Sequence, residues 1–257
     1  MFMTSMRREL RRRLRRPQRH RLLHGYPMRS LMSRIAASDE VEVAIDPARP
    51  LLVGVLPHPF CNPRRRGCGF CTFPHETPRG KEPIALTTAA VGQEIAARLE
   101  ASPELANKPV VGVYFGGGTA NLTPPDAFAE LCQSVAVAFD TRSAEVTLEG
   151  VPRYFLLHDG ALLTLLGEAL PSRHQRISVG VQTFDEERLR LMGRQGFGGR
   201  DDIAKVIEVA HAQGMTASVD LLINLPGQSA EEVLADIRQA DDLGVDQICI
   251  YHLVLYE

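Results

Sequence analysis

Cysteine is scarce. Five residues in 257 are too few to staple a secreted disulfide scaffold, and no charged start followed by a short apolar run marks a signal peptide. The expected setting is the reducing cytosol. Long apolar runs are missing as well: the longest, such as ICIYHLVLY near the end, reach about half of the ~20 residues that a membrane-spanning helix requires. No bilayer span is expected. Overall charge is also close to balanced, with 23% charged residues, a formal net charge of -2 and 44% hydrophobic residues, which excludes the disordered class. A chain of this length makes one large α/β domain or two small ones, at ~150 residues per domain.

The balance hides two unlike parts. Residues 1 to 34 carry eleven arginines and one acid, Glu9, leaving 18 basic and 30 acidic groups, a net of -12, in the remainder. Like-charge repulsion and Pro17 oppose an ordered element in RRELRRRLRRPQRHRLL, so residues 1–50 read as a solvated extension and lead-in. A nucleic-acid or membrane-surface arm is the less favoured reading, and Met28 offers an alternative start. Residues 51–257 read as the folded domain.

Within that domain, strand and helix patterns alternate. LLVGVLPHP, VVGVYFGGGT, EVTLEG, RISVGVQTF, TASVDLLINLP and QICIYHLVLY are continuous apolar runs that suit strands buried on both faces of a parallel sheet. Between them, TTAAVGQEIAARLE, DAFAELCQSVAVAFD, GALLTLLGEAL, DDIAKVIEVAHAQG and SAEEVLADIRQADDLG space apolar residues three and four apart, as crossover helices do. Thr87, Asp126 and Ser229 are the expected N-caps, Glu232 completes a capping box with Ser229, and Gly214 and Gly244 close their helices. Repeated right-handed βαβ units give an open doubly wound sheet or a curving barrel, and in both the ligand sits at the carboxyl ends of the strands.

The residues suited to chemistry follow that rule. Cys61, Cys68 and Cys71 lie in the loop directly after the first strand, in HPFCNPRRRGCGFCTF. Grouped thiols of ordinary pKa gain nothing by proximity unless they share a metal. One reading is a Cys3His zinc site, completed by His58 or His75. The other is a four-iron–four-sulfur cluster, in which three thiolates leave one iron open to a chelating ligand, and the arginines of NPRRRG offset the cluster's negative charge. Gly116 to Thr119 form GGGT at the end of the second strand, where exposed peptide dipoles can hold the charged end of a ligand. Glu149 in EGVP, Gln182 in GVQTF and Asp220 in SVDLLINLPGQ occupy further strand ends, with Arg194 in a short helix LRLMGR. Cys132 and Cys249 fall in helix and strand core positions.

A cysteine loop ending CGFC, then YFGGGT, EGVP, ISVGVQTF and DLLINLPGQ in this order resembles the radical S-adenosylmethionine enzymes, in the branch similar to the oxygen-independent coproporphyrinogen oxidases. The resemblance covers residues 51 to 257. It implies a partial, TIM-like (β/α)6 barrel with a four-iron–four-sulfur cluster on Cys61, Cys68 and Cys71, and S-adenosylmethionine chelating the open iron. Phe70 would then lie near the adenine. Gly117, Gly118 and Thr119 would contact the methionine moiety, Glu149 and Arg194 its charged end, and Gln182 and Asp220 the ribose hydroxyls. The implied reaction is reductive cleavage to a 5′-deoxyadenosyl radical, with a flavodoxin or ferredoxin as electron donor and C-methylation among the outcomes for an unidentified substrate. A haem-binding chaperone without turnover is the alternative from the same branch.

Three departures from the family stand out. Six residues rather than three separate Cys61 from Cys68, His58 precedes Cys61 by three positions rather than four, and Thr72-Phe73 follow Cys71 where coproporphyrinogen oxidases place another cysteine two residues on. The last departure argues against haem decarboxylation. In relatives a C-terminal domain after the sixth strand closes the substrate site, so the expectation is either that this chain is a truncated product or that another chain completes the site.

Overall fold

Six parallel strands form one sheet in strictly sequential order: β1 (Leu51–Val55), β2 (Val110–Phe115), β3 (Glu145–Gly150), β4 (His174–Gln182), β5 (Thr216–Ile223) and β6 (Gln247–His252). The structure is a computed structural model and describes residues 46, 48–61, 68–71, 73, 76–77 and 80–253. Each strand pairs in parallel with the next, so every carboxyl end emerges on the same side. Among the described residues β1 and β6 do not pair with each other, which makes the sheet a partial (β/α)6 barrel. The basic segment of residues 1 to 34 lies outside the described residues, and no described helix is long and apolar enough to cross a membrane.

Helices α1 (Glu82–Ala101), α2 (Pro125–Ala138), α3 (Pro152–Phe155), α4 (Ala161–Ala169), α5 (Glu186–Leu191), α6 (Arg200–Ala212) and α7 (Ala230–Asp242) make the crossovers. Their apolar stripes and the strands' outer faces meet in one core, where Phe115, Phe128, Leu131, Phe155, Leu163 and Ile177 are fully buried. Phe115 of β2 meets Phe128 of α2 edge to face, 5.5 Å between centroids, a geometry worth about 1 kcal/mol beyond simple burial.

Helix ends divide into those that follow side-chain caps and those that do not. Ser229 accepts from the Glu232 N–H at 3.2 Å while the Glu232 carboxylate accepts from the Ser229 N–H, closing the expected capping box. Gly214 and Gly244 take φ of 73° and 74° just past α6 and α7, the left-handed stop that a side chain resists. Thr87 is not a cap: α1 starts five residues earlier, because Pro83 fits a first turn that needs no donor, and the Thr87 hydroxyl donates to the Pro83 carbonyl at 2.8 Å. Asp126 likewise sits inside the first turn of α2, which Pro124 caps; its charge there suits the helix dipole.

Two further expectations are corrected. Burial on both faces holds for β4 and β5, but β1 and β6 are edge strands, with Leu52 75% and Tyr251 54% exposed. Cys249 on β6 is therefore only half-buried, whereas Cys132 on α2 is fully enclosed.

Candidate functional site

The segment after β1 is held at both flanks before any cysteine is considered. Cys61 N–H donates to the Glu76 carbonyl at 2.9 Å and Glu76 N–H to the Pro59 carbonyl at 3.0 Å. Cys71 N–H turns back to the Cys68 carbonyl at 3.1 Å, and Gly69 N–H reaches the Met192 carbonyl at 3.0 Å. The cysteines thus stand on backbone tied to both neighbouring walls. NPRRRG, Thr72 and His75 lie outside the described residues.

All three cysteines line one cleft, together with Phe70, Gly118, Thr119, Glu149, Gln182, Arg194 and Phe197. Among the described residues no three His, Cys, Asp or Glu side chains close around a single point as a bare ion would require. His58 does not line this cleft: its ring is 2% exposed, its Nε2 bonds the Thr123 hydroxyl at 3.1 Å, and burial pushes its pKa down to about 4. The donor set therefore has the three-thiolate character of an open cluster site rather than that of a closed Cys3His zinc site using His58. Burial pushes the Cys61 thiol up, against a hydrogen bond to Thr119, so metal binding there would displace a proton.

Glycine is obligatory at Gly118. Its φ is 51°, and an added Cβ would come within 2.7 Å of the His58 carbonyl oxygen and 2.8 Å of that of Phe60. Thr119 N–H donates to the Phe60 carbonyl at 3.0 Å, which laces this loop to the cysteine segment. Gly117, with φ of 81°, adjoins the cleft without lining it.

The remaining side chains arrive from successive strand ends. Glu149 accepts from the Tyr114 hydroxyl at 3.0 Å, and burial pushes its pKa up against that bond. Gln182 sits at an irregularity in the β4–β5 register with φ of 73°, a costly conformation that re-aims a strand-end side chain. Arg194 lies beyond α5, not within it; its Nη2 donates to the Gly180 carbonyl at 2.5 Å and its Nη1 to Cys68 Sγ at 3.2 Å. The Phe197 and Phe70 rings flank that guanidinium at 4.9 and 5.9 Å. Asp220 is set back from the cleft wall. Ser178 donates to its Oδ2 at 3.2 Å, while its Oδ1 is buried without a partner.

Three contributors escape a reading of the sequence. Asn121 is buried and clamps the Val151 backbone in both directions, at 2.9 and 3.2 Å, and Gly150 is the residue that makes room for it. Tyr114 and Phe197 support Glu149 and Arg194. Asn121 closely follows the glycine run, and that proximity is the only signal a sequence offers for it. Within α5, Arg188 donates to the Pro226 and Gly227 carbonyls at 2.9 and 3.2 Å and pairs with Glu232 at 2.8 Å, tying the segment after β4 to the loop after β5.

Comparison with known proteins gives a consistent picture. A family model described as the radical SAM superfamily matches residues 55–240. A mitochondrial radical S-adenosyl methionine domain-containing protein 1 from Bos taurus is 31% identical, over 77% of this chain and 41% of its own length. The heme chaperone HemW of Mycobacterium tuberculosis is 31% identical over 81% of this chain and 51% of its own. Among solved structures, the coproporphyrinogen III oxidase HemN of Escherichia coli superposes with a TM-score of 0.67 at 26% identity, covering 81% of this chain and 45% of that one. The chain spans about half the length of the relatives it matches.

Proposed function

The chain belongs to the radical S-adenosylmethionine superfamily, and from that premise we propose that Cys61, Cys68 and Cys71 hold a four-iron–four-sulfur cluster beside a cleft that binds S-adenosylmethionine. The observation that carries this reading is that three cysteines, Gly118, Thr119, Glu149, Gln182 and Arg194 all line one cleft. Bound together, the two groups supply one-electron cleavage of the sulfonium carbon–sulfur bond and, through it, hydrogen-atom abstraction from a substrate.

The chain's own share is binding and exclusion. Gly118 and Thr119 line the cleft and Gly117 adjoins it, and these three take the amino-acid end of the nucleotide. Glu149 receives its ammonium, and Arg194, already committed to Cys68 and Gly180, sets a positive charge between the cysteine sulfur and the carboxylate. Gln182 and Asp220 take the ribose hydroxyls; the unpartnered Asp220 Oδ1 is the kind of acceptor that such a donor satisfies. Phe70 borders the adenine. A flavodoxin or ferredoxin is the proposed reductant, and a partner chain or further domain completes the substrate side, where C-methylation is one candidate outcome.

The test is anaerobic reconstitution followed by dithionite and S-adenosylmethionine. Brown protein with stoichiometric acid-labile sulfide, yielding 5′-deoxyadenosine that disappears in Cys68→Ala, is expected; zinc without sulfide would overturn the proposal. A second reading, a haem-binding chaperone of the same superfamily, draws on the likeness to HemW and on Phe73 standing where a further cysteine would otherwise follow Cys71. It predicts haem binding with little nucleotide cleavage in the same assay.

A further inference from the structure

On the inner face of the sheet, β3, β4 and β5 carry a line of charged and hydroxyl side chains that the proposed nucleotide contacts leave unused. Register sets Thr147 beside Arg176, Ser178 beside Ser218, and Gly180 beside Asp220. Glu145 accepts from Arg176 Nε at 3.0 Å and from the Thr147 hydroxyl at 3.2 Å. Arg176 Nη1 donates to Ser218 Oγ at 2.9 Å, Ser218 Oγ lies 3.3 Å from Ser178 Oγ, and Ser178 Oγ donates to Asp220 Oδ2 at 3.2 Å.

The polarity of this line is fixed by its ends. A guanidinium can only donate and a carboxylate can only accept, so the single Ser178 proton is committed to Asp220. The contact between the serines can then be donated only by Ser218, whose single proton is shared between Ser178 Oγ at 3.3 Å and the nearer Ile177 carbonyl at 3.1 Å. One carboxylate oxygen of Asp220 is held from below. The other is buried and unpaired, a condition that folded proteins seldom tolerate unless a ligand or water supplies the donor.

We propose that Ser178 and Arg176 are positioning residues for the nucleotide, their relay fixing Asp220 by Oδ2 so that Oδ1 is reserved for a ribose hydroxyl. This rests on the reading of Asp220 as a ribose contact given above. Burial pushes the Asp220 carboxyl up, and the Ser178 bond, the Cys249 thiol and the nearby Arg176 charge oppose that shift without cancelling it. The same relay therefore favours the ionised, accepting form. The half-exposed Cys249 thiol on β6 also interacts with this carboxylate, from outside the line and without pairing Oδ1.

The experiment compares S-adenosylhomocysteine with its 2′-deoxy and 3′-deoxy analogues by calorimetry on the reconstituted full chain. Wild type should favour the intact ribose by about tenfold over one of the analogues, the range expected for a hydrogen bond to a charged group. Ser178→Ala should reduce that preference to within about twofold, Arg176→Gln should reduce it partly, and Ser178→Thr should retain it, all with unchanged iron content. If Ser178→Ala binds more weakly overall yet keeps the tenfold preference, the serine is only structural and the inference fails while the reading of Asp220 stands. Absence of any preference in wild type would remove the ribose role of Asp220, and the inference with it.

Discussion

Arg194 touches both walls of the cleft at once, its guanidinium donating to Cys68 Sγ at 3.2 Å and to the Gly180 carbonyl at 2.5 Å. The two contacts use different nitrogens of one planar group, which a point charge on a flexible stem cannot reproduce. Arg194→Lys is therefore expected to keep the iron but lose about tenfold or more in affinity for S-adenosylmethionine, since each bond to a charged donor contributes roughly 1.5–3 kcal/mol. Calorimetry beside an iron assay checks it; unchanged affinity would remove Arg194 from the site.

The five cysteines should separate by function. Cys68→Ala is expected to abolish iron and sulfide uptake. Cys132→Ala should leave both intact, because burial in apolar surroundings pushes that thiol up to about 12 and makes it inert. Cys249→Ala should also retain the metal, although its side chain is half-exposed rather than part of the core. Iron and sulfide analysis of the three anoxically prepared variants decides the matter.

Gly118→Ala meets two penalties together: a left-handed φ and a Cβ that would press on two carbonyl oxygens. A cost of about 2–4 kcal/mol is expected, read as a lower urea midpoint. Gly199→Ala, which meets nothing within 4 Å at an ordinary φ, serves as the control and should shift the midpoint far less.

Asn121→Ala leaves the Val151 N–H without its buried partner and the Val151 carbonyl with only the Tyr154 N–H at 3.2 Å. Such losses cost about 1–3 kcal/mol. The variant should unfold at lower urea and bind S-adenosylmethionine less tightly, since the turn that presents Glu149 is no longer clamped.

His58 gives the fold a pH dependence of known sign. Its pKa is depressed to about 4 in the folded chain by burial, against about 6.5 when unfolded. The unfolded state thus binds the extra proton first, so the contribution is complete above pH ~6.5 and is lost as pH falls toward ~4, up to about 3 kcal/mol. Urea midpoints at pH 7 and pH 5 should differ more for wild type than for His58→Gln; parallel behaviour would contradict the assignment.

The six strands and the long crossover helices were legible because periodicity and glycine stops act locally. The sequential strand order was not, since repeated βαβ units fit an open doubly wound sheet as well as a barrel and only the family resemblance implied the latter. The cysteines, Gly118, Glu149, Gln182 and Arg194 could be placed at one end because a parallel sheet sends every strand end to the same side. Thr87 and Asp126 misled because proline, not a side-chain oxygen, starts α1 and α2. Cys249 misled because an apolar run looks the same in a central strand and at an edge. Asn121, Tyr114 and the serine relay could not be found locally at all, since each acts across a separation of 30 residues or more.

Arg188 has a mechanical consequence. By holding Pro226, Gly227 and Glu232 from within α5, it couples the segment after β4 to the loop after β5 and the start of α7. Gln182 ends β4 and Asp220 lies three residues before the end of β5, so the sugar hydroxyls proposed to bind there would meet jaws already locked at a set gap. Severing the strut should loosen the grip on the sugar without altering any group that touches it.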